Sequence, residues 1–379
     1  MARKSEKIKI LFTIPDFDTA GSGKALLKIA TRLNPSLFEP HIACMHNRGA
    51  FFKVVEESGI PVHVFQYTTP MKPYHKGVYN CIKIAKEFRA IKPDIIHSFH
   101  YNADYSEALA AKFAGIKWLY SKKNMSWGGS SKNSWHMRTL LASHVIYQNT
   151  DMKEQFFSTL KNTTFIPRGV DVAEFNQAAP RKELLEKYGL SLQDRIVIVV
   201  ANLVPLKGID VLIKAYNQEE IYNNKWKLLI VGDDKNEYGD TLKELVTKLD
   251  LTSKIIFTGK VLNVNEHLNL AELFVLPTVF KGEGSPVALL EAMATGLCVL
   301  GSNLPGIRDQ LQGNPNHMVE AGDVSAWKKT LLYFLNKSPK QLKEIGELFY
   351  KEVRDNYQIN NEVSKTEKVY IDIWVRKLK

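Results

Sequence analysis

The feature that most constrains this chain is a repeated pattern of short apolar run, loop and helix, and its clearest instance spans residues 272–302. Glu272 to Thr278 reads ELFVLPT and Leu297 to Ser302 reads LCVLGS. Both runs are continuous and apolar, as strands buried on both faces of a sheet are. Between them Ser285 and Pro286 read as helix N-cap and first helical residue, Val287 to Thr295 as a helix, and Gly296 as its stop. This is a βαβ unit. The loop Phe280 to Ser285 then lies at a strand's carboxyl end against a helix N-terminus, where open parallel sheets bind ligands and helix amides bind anions.

The alternation continues in both directions. Strands are expected at Lys9–Ile14, His41–Met45, Val62–Phe65, Ile95–Ser98, Trp118–Ser121 and His144–Gln148, and again at Ile196–Ala201, Lys227–Val231 and Ile255–Thr258. Helices are expected between them, among them Lys24–Leu33, Phe51–Glu57, Tyr79–Ala90, Asp151–Leu160, Ile209–Tyr216 and Asn263–Leu270, and three more from Val324 to the end. Such alternation predicts α/β architecture with parallel, doubly wound sheets. A chain of 379 residues holds two such domains.

Several residues stand where chemistry is possible. Glu283 sits among glycines, where backbone can approach a ligand closely, and Glu291 interrupts a helix that is apolar on nearly every face, where a carboxylate needs a partner. The plain alternatives are a solvated Glu283 and a Glu291 bonded to a neighbouring backbone N–H. Lys207, in NLVPLKG, stands at a strand's carboxyl end just before a helix: a diphosphate cradle or a solvated lysine. His97 and His100 fall at or just past the end of a strand, as cleft contacts or as structural histidines. The stretch Trp118 to Arg138 mixes three tryptophans with bases, which suits sugar stacking, a membrane interface, single-stranded nucleic acid or tryptophans tucked into the core. DTAGSGKALLKIA fails as a P-loop, because Asp18 replaces the first glycine and Ala25 the hydroxyl residue; it fails as a dinucleotide fingerprint at Leu26. A glycine-rich turn before a helix remains. Adjacent Asp233 and Asp234 read as a turn, and no His, Cys or acidic cluster has metal spacing, so no metal or other cofactor is expected.

Composition narrows the class. With 45% hydrophobic and 24% charged residues, the chain is an ordinary globular protein. No apolar run approaches the ~20 residues of a membrane span, and Lys9 breaks the only leader-like start, so a cytoplasmic protein is expected. Cys44, Cys81 and Cys298 suit reduced core thiols. Charge is uneven: residues 1–175 hold 24 Lys+Arg against 14 Asp+Glu. That half is expected to face something anionic, such as a membrane surface, a phosphate-bearing acceptor or nucleic acid.

Glu283 and Glu291, with seven residues between them in EGSPVALLEAMATG, resemble the E-x7-E motif of glycosyltransferase family 4, whose members are retaining, GT-B-fold enzymes using nucleotide-activated sugars. The resemblance implies two facing Rossmann-like domains, residues 1–175 and 176–361, with a C-terminal helix, about 362–379, crossing back to the first. FIPRGVDVAEF looks like the family's interdomain segment, with Arg168 for asparagine, and LPGIRDQL like its G-G-x-x-E turn, with Asp309 for glutamate. It further implies donor contacts from Lys207, Glu283, Gly284, Ser285, Pro286 and Glu291, and from Asn202, which stands where relatives carry arginine. Val261 would line the base pocket. Glu291 would hold the ribose, Glu283 the donor sugar, and Lys207 the diphosphate, so that Glu283 and Lys207 carry catalysis. Gly21, Ser22, His97 and His100 would border the acceptor cleft. Lys123 and Asn124 replace a histidine by which many relatives contact the donor sugar.

The function so implied is transfer of a hexosyl unit from a nucleoside diphosphate sugar, a UDP-sugar first, to a glycan, lipid-linked or wall-polymer acceptor in bacterial surface polysaccharide synthesis. It needs no metal and no nucleic-acid partner, and peripheral contact with the inner face of the cytoplasmic membrane goes with the basic half. Three alternatives stay open: a glycoside hydrolase using Glu283 and Glu291, a sugar-nucleotide epimerase of the same architecture, and a non-enzymatic anion or nucleic-acid binder.

Overall fold

The computed structural model describes residues 7–18, 20–49, 51–127, 131–219 and 225–378. Residues 1–6 of the amino-terminal segment, Thr19 of the first loop, residues 128–130 of the tryptophan-rich stretch and Lys379 of the last helix lie outside them.

The chain divides into two compact units. The first runs up to Pro167 and resumes at Ile359; the second is Arg168–Gln358. In the first, β1 (Ile8–Thr13), α1 (Ala20–Ala30), β2 (Phe38–Cys44), α2 (Phe52–Glu57), β3 (Val62–Val64), α3 (Tyr74–Ile91) and β4 (Ile95–Ser98) are followed by α4 (Ser106–Ala114), β5 (Lys117–Lys122), α5 (Lys132–Leu141), β6 (His144–Tyr147), α6 (Thr150–Phe157) and β7 (Thr163–Phe165). The second holds α7 (Lys182–Lys187), β8 (Arg195–Val200), α8 (Ile209–Tyr216), β9 (Trp226–Val231), α9 (Glu237–Lys248), β10 (Ile255–Gly259), α10 (Val264–Leu268) and β11 (Leu273–Leu276). It ends with α11 (Val287–Ala294), β12 (Cys298–Ser302), α12 (Ile307–Gln310), β13 (Met318–Val319), α13 (Val324–Leu335) and α14 (Pro339–Asn356). A last helix, α15 (Ile359–Leu378), belongs to the first unit.

The sheets run in the orders β3-β2-β1-β4-β5-β6-β7 and β10-β9-β8-β11-β12-β13. Every strand pairing among the described residues is parallel. Both are doubly wound orders, and in each the direction of winding reverses beside the first strand, between β1 and β4 and between β8 and β11. Each sheet is covered on both faces, which is why its strands read as unbroken apolar runs. Val197 and Val199 of β8 enter one core of the second unit, and Ile196 and Ile198 the other.

The differences from expectation have local causes. The segment Arg168–Phe175, assigned to the first domain from sequence, packs in the second unit. There Val170 and Phe175 join a core, and the Val170 N–H donates to Tyr357 O at 2.8 Å. Ile359 in turn lies in a core of the first unit, so α15 starts three residues before the expected Glu362. Helix α3 begins at Tyr74, not Tyr79, because its first turn is polar and carries a glycine; a Cβ on Gly77 would meet the Met71 backbone. Helix α4, SEALAAKFA, escaped notice because it buries Ser106, Glu107, Ala108, Ala110 and Ala111 and so shows no one-sided period. Helix α1 begins at Ala20, so Gly21 and Ser22 form its first turn and not the loop expected up to Gly23.

Candidate functional site

Ligands of doubly wound sheets bind at the carboxyl ends of strands beside the point of reversal. In the second unit those ends belong to β8 and β11, and the loops that leave them carry Lys207 and Glu283. The two side chains form an ion pair across the reversal point, each mostly buried, at 18% and 15% side-chain exposure. Thr278 Oγ1, two residues past β11, lies 3.5 Å from Glu283 Oε1. The loops that bring them together are packed backbone to backbone. The Val279 N–H donates to Leu206 O at 3.0 Å. Gly208, at φ +62, has no room for a Cβ, which would strike Pro277 O. A side chain at Gly208 would therefore be excluded by space and by conformation together.

Ser285 and Pro286 depart from expectation. Pro286, at φ −70 and ψ 115, is the N-cap of α11 and makes no side-chain cap bond, so Ser285 stands one residue outside the helix. Its hydroxyl is engaged elsewhere: Oγ accepts from the Arg168 N–H at 3.2 Å and from Gln310 Nε2 at 3.0 Å. Gly306, at φ +81, lies against Gly284 O, where a Cβ could not fit. The Glu283–Ser285 loop is thus clamped by the Arg168 backbone on one side and the Gly306–Gln310 turn on the other. Gln310 was not foreseen from sequence; it lies 25 residues from Ser285, and no local pattern marks such a contact. Its Oε1 is buried with no hydrogen-bond partner among the described residues.

Glu291 lies half-buried in the middle of α11, next to fully buried Leu290 and Ala292. Asn202 is exposed in the loop after β8, and Leu203 beside it is buried as the loop's anchor. Val261 is half-buried after β10, two strands from β8, roughly 10 Å along the sheet edge. Asp233 accepts from the Lys235 N–H at 3.2 Å and Asp234 pairs with Lys243 at 2.8 Å, a turn and a surface pair.

The first unit treats its expected site residues differently. His97 is inside the sheet, 1% exposed, and not at its edge. Its Nδ1 meets the Tyr370 hydroxyl at 2.6 Å and its Nε2 the Ser121 hydroxyl at 2.8 Å, and burial drives its pKa down to about 3. It is a neutral tie between β4 and α15. His100 does lie just past β4; burial, with Arg138 and Lys123 near it, holds it at about 3, and its buried Nδ1 has no partner among the described residues. Lys123 donates to Phe99 O at 2.6 Å and lies over the Phe99 ring. Asn124 Oδ1 accepts from Lys122 Nζ at 2.8 Å. Lys122 itself is buried 4.0 Å from the centre of the Trp135 ring, and desolvation pushes its pKa down to about 7. Trp118 and Trp135 of the tryptophan-rich stretch are core residues, at 1% and 4% exposure.

Beneath these loops lies a buried polar network unmarked in the sequence. Glu107, fully buried, accepts from Ser98 Oγ at 2.7 Å and from Thr13 Oγ1 at 2.5 Å. Arg138, also fully buried, donates to His100 O at 3.1 Å and Ser98 Oγ at 3.0 Å and stacks near Trp118 and Tyr120. Desolvation raises the Glu107 pKa and lowers that of Arg138, each opposed by the other's charge. Among the described residues, one group has cation-ligand chemistry: Asp16, Asp18 and His46, after β1 and β2, with ligand atoms within 4.8 Å of one another. No helix among the described residues is long and apolar enough to cross a membrane.

Comparison with known proteins agrees with this architecture. Residues 19–174 match the model of Glycosyltransferase Family 4 and residues 180–351 that of Glycosyl transferases group 1. Among curated relatives, the UDP-Gal:alpha-D-GlcNAc-diphosphoundecaprenol alpha-1,3-galactosyltransferase of Escherichia coli is 23% identical over 80% of this chain and 81% of its own. A GDP-mannose-dependent monoacylated alpha-(1-6)-phosphatidylinositol monomannoside mannosyltransferase of Corynebacterium glutamicum is 31% identical over 45% of this chain; the match spans 46% of that relative, about half its length. Among solved structures, a glycosyltransferase from Rickettsia africae superposes with a TM-score of 0.84 at 20% identity, over 97% of this chain and 98% of that one. The Anabaena protein HepE, in complex with UDP and glucose, gives 0.82 at 18% identity, over 96% and 99%. The fold is therefore the GT-B pair of parallel α/β domains, and the chain belongs to the group 1 glycosyltransferases of family 4.

Proposed function

We propose that this glycosyltransferase moves a hexosyl unit from a nucleoside diphosphate sugar to a glycan or lipid-linked acceptor, with retained anomeric configuration and without a metal. The observation that carries the reading is the Lys207–Glu283 pair across the β8/β11 reversal point. Breaking a glycosyl–phosphate bond builds negative charge on the leaving diphosphate. Lys207 and the amides at the head of α8 supply fixed positive potential for it, a role otherwise filled by a divalent cation. The diphosphate takes Lys207 over from Glu283, which then turns to hydroxyls of the donor sugar. Glu291 holds the ribose, and the leaving phosphate oxygen takes the acceptor's proton.

The relatives support the donor and acceptor classes: one is UDP-Gal-dependent and named for a diphosphoundecaprenol acceptor, another GDP-mannose-dependent and named for a phosphatidylinositol mannoside. UDP-hexose is the first donor to test, and bacterial surface glycan synthesis is the setting these relatives favour. The experiment is nucleotide release from a panel of nucleoside diphosphate sugars with EDTA present and no acceptor. Slow release of one nucleotide, lost in Lys207→Ala and Glu291→Ala, supports the reading. Release that needs a divalent cation overturns its metal-free form, and sugar isomerised without nucleotide release identifies an epimerase.

A further inference from the structure

Strand β5 ends in a buried lysine whose bonds are all local. Lys122 is 1% exposed, and its Nζ lies 4.0 Å and 5.4 Å from the ring centres of Trp135 and Phe156. Desolvation opposes its charge, and the nearby charge that acts on it, Arg138, has the same sign. Such a group is costly to bury, and its bonds show what it holds. Nζ donates to Asn124 Oδ1 at 2.8 Å and to Ser126 O at 2.6 Å.

These bonds fix the Asn124 amide one way round. An ammonium has donors and no acceptor, so the amide must turn its oxygen toward Lys122. The Ser126 N–H donates to the same Oδ1 at 3.3 Å. The oxygen is thus used twice inside the loop, and Nδ2, with its two N–H donors, is turned away. Among the described residues Nδ2 has no partner, and Asn124 is half-buried. The loop is pinned on either side of it. Lys123 donates to Phe99 O at 2.6 Å, and Met125 is 6% exposed, its Sδ 3.4 Å from Asn149 Nδ2. An amide held this way gives up little further freedom when it binds. The loop leaves the carboxyl end of β5, next to β4 and one strand from the β1/β4 reversal, where doubly wound sheets take ligands.

We propose that Asn124 donates through Nδ2 to an oxygen of a substrate sugar, and that Lys122 is the positioning residue that leaves it only its donors to offer. The ligand chemistry is a sugar hydroxyl accepting a hydrogen bond, on the transferred unit or on a glycan acceptor. A phosphate oxygen fits less well, because the neighbouring cations Lys122 and Lys123 spend their charge inward on loop carbonyls and rings. The inference deepens the proposed sugar transfer and rests on that reading.

The test measures KM and kcat of the full chain in two arms. One is nucleotide release from the donor without acceptor; the other is release stimulated by nitrophenyl hexosides as acceptor probes. Asn124→Ala is expected to raise one KM about tenfold with kcat nearly kept, the mark of an interaction made equally in ground and transition states. The arm in which KM rises identifies the sugar that is held. Substrates deoxygenated at one hydroxyl at a time then locate the partner. One such loss is expected to cost the parent chain about tenfold and the Asn124→Ala chain nothing more. Lys122→Met keeps the length of the side chain among the rings. It is expected to raise the same KM and to lose sensitivity to the same hydroxyl, with no further loss in the double variant. A lysine that only supports the fold would lower stability or kcat and leave the hydroxyl preference intact, which overturns the positioning role. Should Lys122→Met fold poorly, Asn124→Ala with the deoxygenated substrates still decides the contact. An unchanged KM in both arms for Asn124→Ala overturns it and leaves the transferase reading standing. No release and no binding of any nucleoside diphosphate sugar by the parent chain sinks that reading, and this inference with it.

Discussion

Lys207 owes its place to a residue with no side chain. Gly208 lets the loop after β8 lie against Pro277, and the same contact sets Lys207 beside Glu283. Lys207→Ala is expected to cut turnover by about 10²–10³, the loss typical of one electrostatic group at a charge-developing centre. Gly208→Ala is expected to lose activity on a similar scale while keeping the charge, and donor affinity measured by calorimetry is expected to fall with it. Gln310→Ala removes a buried bond to Ser285 and is expected to cost about 1–3 kcal/mol in thermal or denaturant unfolding. Wild-type stability in that assay would show that the amide does not hold the loop. The motif half of this site was legible as a pattern: glycines, a proline, a carboxylate and a lysine after strand ends, and a second carboxylate inside a helix, speak through local spacing. The clamp was not, because Ser285 and Gln310 meet only once β12 and its turn have folded back.

At the level of elements, strands were read most easily, since a parallel strand covered on both faces is an uninterrupted apolar run, and Ile95–Ser98 coincides with its expected span. Helices were harder wherever burial was two-sided or a first turn was polar, as in α4 and α3. The polar network of Glu107 and Arg138 was invisible, because it joins four elements and each of the two charged residues alone looks like a surface charge. That network makes a firm prediction. Arg138→Met is expected to destabilise the first unit by about 3–5 kcal/mol, because it strands a buried carboxylate. The double variant Arg138→Met, Glu107→Leu is expected to recover part of that loss in the same denaturant titration. A double variant as unstable as the sum of the two singles would show that the charges do not act as a pair.

For the molecule as a whole, the first unit carries an acid weakness. His97 and His100 have ordinary values of 6.5 when unfolded and are held near 3 in the fold, so the unfolded chain binds more protons between those limits. Their contribution is complete above about pH 6.5 and is lost as pH falls toward 3. The slope is about 1.4 kcal/mol per pH unit for each histidine. His97→Asn is expected to flatten the pH dependence of unfolding, followed by tryptophan fluorescence, even if it lowers stability at neutral pH. Truncation after Gln358 is expected to unfold the first unit, since Ile359, Val363, Val369, Tyr370 and Ile373 belong to its core. The second unit, whose entry and exit segments are bridged at Val170 and Gln358, is expected to keep its own cooperative transition. This nesting has a consequence for how the protein is made. The second unit is a continuous stretch of about 190 residues inserted into the first. At ribosomal speeds it takes roughly 10–40 s to synthesise. Until α15 is made, the first sheet waits with that side of its core bare. The enzyme's carboxyl-terminal half is thus finished before its amino-terminal half, and a nascent chain stalled near Gln358 should be a client for chaperones that shield one apolar patch.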